Sequence, residues 1–139
     1  MAAQSWRGKA PVTSSGEAFG LDRLGTGHEF SGTPYLEFVR TDSLSVGMYA
    51  LAAGTRDGQQ PHTEDEVYHV VEGKASLRVD GKDLAVGAGT VAFVGAGVEH
   101  RFHSIEEDLK VLVFFAPAEY SLAAEAAGRL SELKEGDCG

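Results

Sequence analysis

Between residues 35 and 117 the chain is cut into short runs, YLEFV, LSVGMYALA, VYHVV, ASLRV, VAFV and LKVLVFFA, separated by Gly, Asp and small polar residues. The runs are rich in β-branched and aromatic residues, which fit a pleated, half-buried surface, and they are too short for ordinary helices. Such a chain is expected to form an all-β sandwich or barrel of antiparallel strands. Val79-Asp80-Gly81-Lys82 sets Asp-Gly between two strand-like segments, the dipeptide that favours a tight hairpin turn.

The flanks read differently. Residues 1–30 are Gly-, Ser- and Thr-rich with scattered Phe19, Leu21, Leu24 and Phe30, an extended N-terminal arm rather than a domain. Residues 31–117 then form the barrel, and residues 118–139 a C-terminal surface helix and tail. In that helix, expected over residues 118–134 with Pro117 ahead of it, Leu122, Ala126, Leu130 and Leu133 recur on one face. At 139 residues the chain has room for one core of normal size. Gly87-Ala88-Gly89-Thr90-Val91-Ala92 matches a dinucleotide-binding fingerprint, but Val91-Ala92-Phe93-Val94 and another Gly-rich turn follow instead of the helix that chemistry requires. We read it as strand between turns.

The stretch QPHTEDEVYHVVEG, residues 60–73, holds two histidines and four acidic residues. Thr63-Glu64-Asp65-Glu66 has the form of a helix capping box. The helix it would open contains Val67, Tyr68, His69, Val70 and Val71 before Gly73, so strand is favoured on propensity and length. Counting in twos along a strand, and carrying the parity across the turn-like residues 63–65, Gln60, His62, Glu66, Tyr68 and Val70 share one side. His69 and Val71 point to the other. Glu64 and Asp65 are expected in a solvated turn, with a ligand role open to them if the local geometry bulges.

An amide oxygen, an imidazole and a carboxylate on one face suit Fe(II), Mn, Ni or Zn, and the absence of thiols disfavours a purely structural zinc. A further nitrogen ligand is available in Gly97-Val98-Glu99-His100, where a Gly-rich turn delivers His100 to the start of another strand-like segment. His103, like His69, is expected on an outer face, and His28 in the arm carries no signal. The candidate metal ligands are therefore Gln60, His62, Glu66 and His100.

These residues resemble the two motifs of the cupins. Gly54, five residues, Gln60-Pro61-His62, three residues, Glu66, six residues and Gly73 follow the spacing of the first motif. Gly89, five residues, Gly95-Ala96-Gly97, two residues, His100, three residues and Ser104 follow that of the second. Three positions depart from the family pattern: Gln60 stands for the first histidine, Gly95 for a proline and Ser104 for an asparagine. Gln binds metal more weakly than imidazole, so His62, Glu66 and His100 form the strong set, with Gln60 a fourth ligand or a neighbour of it. The combination of Gln, His, Glu and a distant His is also similar to the zinc site of the phosphomannose isomerase branch. The resemblance covers roughly residues 35–117. It implies a jelly-roll barrel of six to eight strands with a divalent transition metal inside (Fe, Zn, Ni or Mn), and a homodimer.

Two histidines and a carboxylate with open coordination positions serve oxygen activation on Fe(II), or Lewis-acid activation on Zn or Ni. Glu66 and Tyr68 are the candidate catalytic residues, Tyr68 through its hydroxyl, and Phe102 is a candidate pocket wall or core residue. The expected function is a small metalloenzyme, dioxygenase-like or of the isomerase/cyclase type, acting on an oxygen-rich small molecule. The alternative is a non-catalytic binding or sensor cupin.

Charge narrows the partners. Twelve Lys and Arg against 21 Asp and Glu leave a net charge of -9, which disfavours nucleic acid and anionic membrane surfaces. No apolar run approaches the ~20 residues of a spanning helix, and the amino terminus lacks the apolar centre of a secretion signal, so a cytoplasmic location is expected. Cys138, the only cysteine, admits no internal disulfide.

Overall fold

The computed structural model describes residues 15–24, 35–59 and 61–121. Six strands follow one short helical turn: α1 (Leu21–Leu24), β1 (Tyr35–Arg40), β2 (Ser45–Leu51), β3 (Asp65–Val79), β4 (Lys82–Gly87), β5 (Val91–Val94) and β6 (His100–Ala116). Every pairing is antiparallel. The sheet runs β1-β2-β6-β3-β4, with β5 also paired to β3. The chain has a jelly-roll β fold, in keeping with the all-β architecture that the punctuation of the sequence implies and the jelly roll that the cupin resemblance implies.

The strands are divided differently from the apolar runs. VYHVV and ASLRV belong to one 15-residue strand, β3, and LKVLVFFA is only the second half of the 17-residue β6. The joint in β3 is Gly73, at φ 101°, where a Cβ would stand 2.4 Å from the Asp108 carbonyl oxygen. Only glycine combines that backbone with that approach. The β3–β6 register also shifts between Val70 and Ser76, and such bulges bend and twist a strand. Bending gives the two ends of β3 different neighbours. Glu66 to His69 pair with β5, whereas Lys74 to Val79 pair with β4. The β3–β4 hairpin closes through Asp80 and Gly81, both at positive φ (49° and 80°) as its Asp-Gly requires.

Two apolar layers result. The inner one gathers Tyr49, Tyr68, Leu77, Phe102, Val111 and Phe115 among others, and the outer one joins Leu24 to Leu36, Phe38, Val46 and Met48, with Phe19 and Leu21 against it. Strand β2 lies between them, which is why SVGMYAL is buried along nearly its whole length instead of alternating. Residues 15–24, part of the segment read as an arm, thus cover the outer face of β1 and β2.

The chain after β6 does not enter a helix at Ala118. Glu119 and Tyr120 form a turn with Tyr120 at φ 64°, and Ser121 is the first helical residue. The rest of the expected helix, with Leu122, Ala126, Leu130 and Leu133, lies outside the described residues, as do Gln60, His28 and Cys138. Among the described residues no helix is long and apolar enough to cross a membrane.

Candidate metal centre

Strand parity is kept from Glu66 onward. Glu66, Tyr68 and Val70 are buried, and the intervening Val67, His69 and Val71 are half-exposed on the other face. His62 sits just ahead of β3, where its carbonyl accepts a hydrogen bond from Gly97 N at 2.6 Å. That bond ties the first histidine segment to the Gly-rich turn that delivers the second. His100 opens β6 and is buried, as is Phe102 two residues on.

The result is a cluster of three: one donor atom each from His62, Glu66 and His100 lies within 4.8 Å of the others. The three residues are 9%, 2% and 3% exposed. His100 Nε2 stands 3.1 Å from Glu66 Oε1 and His62 Nδ1 3.7 Å from the same oxygen. Neither contact has the geometry of a hydrogen bond, and His62 Nδ1, His100 Nε2 and both Glu66 oxygens are buried without hydrogen-bond partners. Leaving such atoms unsatisfied costs about 1–3 kcal/mol each. Buried polar groups are normally paired, and a site built for an ion is one standard reason for an exception.

The other ring nitrogens explain why a cation fits. His100 Nδ1 is 2.9 Å from the Val98 carbonyl, which can only accept, so Nδ1 carries a proton and donates it. His62 Nε2 is 3.0 Å from Glu119 Oε2 and donates to that carboxylate. In neutral imidazoles the inward nitrogens are then lone pairs, and they meet a carboxylate. Three acceptors facing one another in a buried space repel unless a positive charge lies between them. A divalent metal meets that need, and outward hydrogen bonds of this kind are what ligating histidines normally make. A proton meets it in part. Burial by itself lowers the His100 pKa, but Glu66 and the Val98 carbonyl more than offset this, and the net shift is upward.

Aromatic rings enclose the cluster. Phe115 packs at 4.7 Å and Tyr120 at 5.6 Å from His62, ring centre to ring centre, and Tyr68 at 6.1 Å from His100. Tyr68 is fully buried, and its hydroxyl donates to Gln59 Oε1 at 3.0 Å. Burial first, then the nearby Glu66, raises its pKa well above the ordinary value, so the phenol stays protonated.

Several residues at the site had no motif to announce them. Asp57 is buried and accepts from Tyr49 Oη, Gln59 N, Gln59 Nε2 and Phe102 N, which locks the loop ahead of His62 onto β6. Glu64 corrects the expectation of a solvated turn: it is 1% exposed and accepts from Thr63 Oγ1 and from Tyr120 N. Asp65 is exposed as expected and accepts from Ala96 N. Glu119 reaches His62 from just past the end of β6. His103, half-buried, pairs with Asp83 away from the cluster.

Residues 47–115 match the cupin domain family. The chain is 50% identical over 103 residues to an uncharacterised protein of Streptomyces coelicolor, a match that covers 74% of this chain and 98% of the relative. A crystal structure of an RmlC-like cupin from Shewanella frigidimarina superposes with a TM-score of 0.55 at 24% identity, over 60% of this chain and 75% of that one. A salicylate 1,2-dioxygenase from Pseudoaminobacter salicylatoxidans, solved with gentisate, superposes at 0.51 and 20% identity, over 54% of this chain and 20% of the larger one. With both motif spacings kept in the sequence, a jelly roll around them and these likenesses, the chain belongs to the cupin superfamily.

Proposed function

We propose that this cupin is a small metalloenzyme in which His62, Glu66 and His100 hold a divalent transition metal and the substrate is an oxygen-rich small molecule bound in the barrel. The observation that carries the reading is the set of buried, unpartnered donor atoms converging from two histidines and one carboxylate, with both outer ring nitrogens already engaged. Such a metal supplies Lewis acidity, and with iron oxygen chemistry, at a site whose three protein ligands leave positions open for a chelating substrate. Dioxygenase and isomerase/cyclase chemistry are the classes this supports.

The chain's own residues take definite parts. One oxygen of Glu66 suffices for the metal, and the other is left inside the barrel to accept a proton from a bound substrate. Tyr68, protonated and held by Gln59, is a hydrogen-bond donor and wall rather than a base. Phe115 and Tyr120 flank His62 and keep water from that side of the ligand set. A homodimer belongs to the same proposal.

The test is elemental analysis of untagged protein after reconstitution, beside His62→Ala, Glu66→Ala and His100→Ala. The expected result is one equivalent of Fe, Mn, Ni or Zn in the wild type and little in each variant. A wild type that takes up none of these metals, or variants that keep full occupancy, would refute the site. If iron is retained, oxygen consumption with diols, diketones and phenolics separates a dioxygenase from the other classes, and turnover of none of them favours a binding protein.

A further inference from the structure

Both cupin motifs end before β6 is complete, yet the hydrogen bond that sets the His62 ring comes from a residue past that strand. Glu119 Oε2 lies 3.0 Å from His62 Nε2, a partner 57 positions away in the chain. We propose that Glu119 is the positioning residue of the metal site, holding His62 in the Nε2–H form so that Nδ1 presents its lone pair toward Glu66 and His100. The inference rests on the metal reading above.

The turn that carries Glu119 is anchored on three sides. Arg40 Nη2 donates to the Glu119 carbonyl at 2.7 Å, the Glu119 amide donates to Ser45 Oγ at 2.9 Å, and the Tyr120 amide donates to Glu64 Oε1 at 2.8 Å. Ala118 is buried beside it, and Ser121 Oγ donates to the Ala118 carbonyl. The backbone of the turn is thus held by β1, by β2 and by the segment leading into β3. Tyr120, presented by the same turn, lies over the imidazole with its ring tilted 31°. Phe115 also packs on it, at 4.7 Å between ring centres, so the imidazole is held by the Glu119 carboxylate and by contacts with two aromatic rings.

The physical consequence is definite. Without the carboxylate, His62 is free to carry its proton on Nδ1, which would point N–H instead of a lone pair at the cluster. A negative partner on the outer N–H also raises the basicity of the ligating nitrogen, and loss of such partners typically weakens metal binding about 10–100-fold. Glu119 touches no reacting atom in this scheme and acts through His62.

The experiment uses the full-length chain stripped of metal and titrated with zinc against a chromophoric chelator, comparing wild type, Glu119→Gln, Glu119→Ala and His100→Ala. Glu119→Ala is expected to bind zinc about 10–100-fold more weakly than wild type, and Glu119→Gln, whose amide oxygen still accepts a hydrogen bond, to fall between them. Nitrogen-15 NMR of the metal-free proteins supplies a readout that a purely structural role would not move. His62 is expected as the Nε2–H form in the wild type, with the Nδ1–H form appearing in Glu119→Ala. Zinc affinity within twofold of wild type in both Glu119 variants, or an unchanged His62 form, overturns the inference while leaving the metal site intact. If Glu119→Ala does not fold, Glu119→Gln decides by its zinc affinity, a value within twofold of wild type overturning the inference. If the wild type binds no zinc, or His100→Ala binds it equally well, the metal reading falls and this inference with it.

Discussion

At the scale of the residue, His100 is where charge and fold are most tightly linked. Its Nδ1 proton is committed to the Val98 carbonyl, so Nε2 is the atom that exchanges between lone pair, proton and metal. Its pKa lies above the ordinary 6.5 in the folded chain. A group raised in this way stabilises the fold below its unfolded pKa, and the contribution is lost as pH rises through the folded value. In metal-free protein, the stability difference between wild type and His100→Gln is therefore expected to be largest in mild acid and to shrink as pH rises above 6.5. Urea unfolding of the pair from pH 5.5 to 8.5 measures it. Metal uptake should run the other way, weakening in acid as the proton competes for Nε2.

At the scale of the element, the long strands depend on a few positions where backbone or packing leaves no choice. Gly73→Ala would put a Cβ 2.4 Å from the Asp108 carbonyl in a backbone conformation, φ 101°, that L-residues avoid. The combined strain and overpacking should cost about 2–4 kcal/mol, seen as a lower urea midpoint. A midpoint equal to that of the wild type would mean the β3 bend is not held there. The single turn α1 poses a different case, because four residues are too few to be stable alone. Its place is held by Leu24, fully buried against Leu36, Phe38, Val46 and Met48. Leu24→Ala should destabilise by about 2–5 kcal/mol, with metal uptake retained since the inner layer is untouched. Loss below 1 kcal/mol would show that the segment is not an integral cover of the sheet. Nothing in residues 15–24 announced this docking, because the apolar residues there are too few to set a period and their partners lie in β1 and β2.

At the scale of the whole molecule, the described residues cover one part of the outside of the sheet and leave large apolar side chains exposed on another. Residues 15–24 cover β1 and β2, while Val91 and Phe93 on β5 are 67% and 63% exposed, beside the half-buried Val67 and His69 of β3. Exposed apolar side chains grouped this way commonly mark a contact surface. The proposed homodimer is expected to use this face, so Phe93→Asp should shift the chain toward monomer in sedimentation equilibrium. A wild type that is already monomeric, or a variant that stays dimeric, would count against it.

The sequence alone was enough for the short-range geometry. Alternation from Glu66 to Val71 told which side chains face inward and Asp80-Gly81 told where a hairpin closes, while the resemblance of both motif spacings to the cupins implied that His62, Glu66 and His100 meet. The first two follow from backbone periodicity and from a conformation that few residues can adopt, and both are written locally. Tertiary structure decided what depends on contacts between distant segments. VYHVV and ASLRV became one strand because β6 pairs along both, and Glu64 went from an expected solvated turn to a buried acceptor because Tyr120 N, 56 residues away, reaches it. Asp57 and Glu119 became parts of the site in the same way, through Phe102 and His62. A carboxylate in a loop carries no local sign of the donor it will meet, since that donor is brought to it only when the barrel closes.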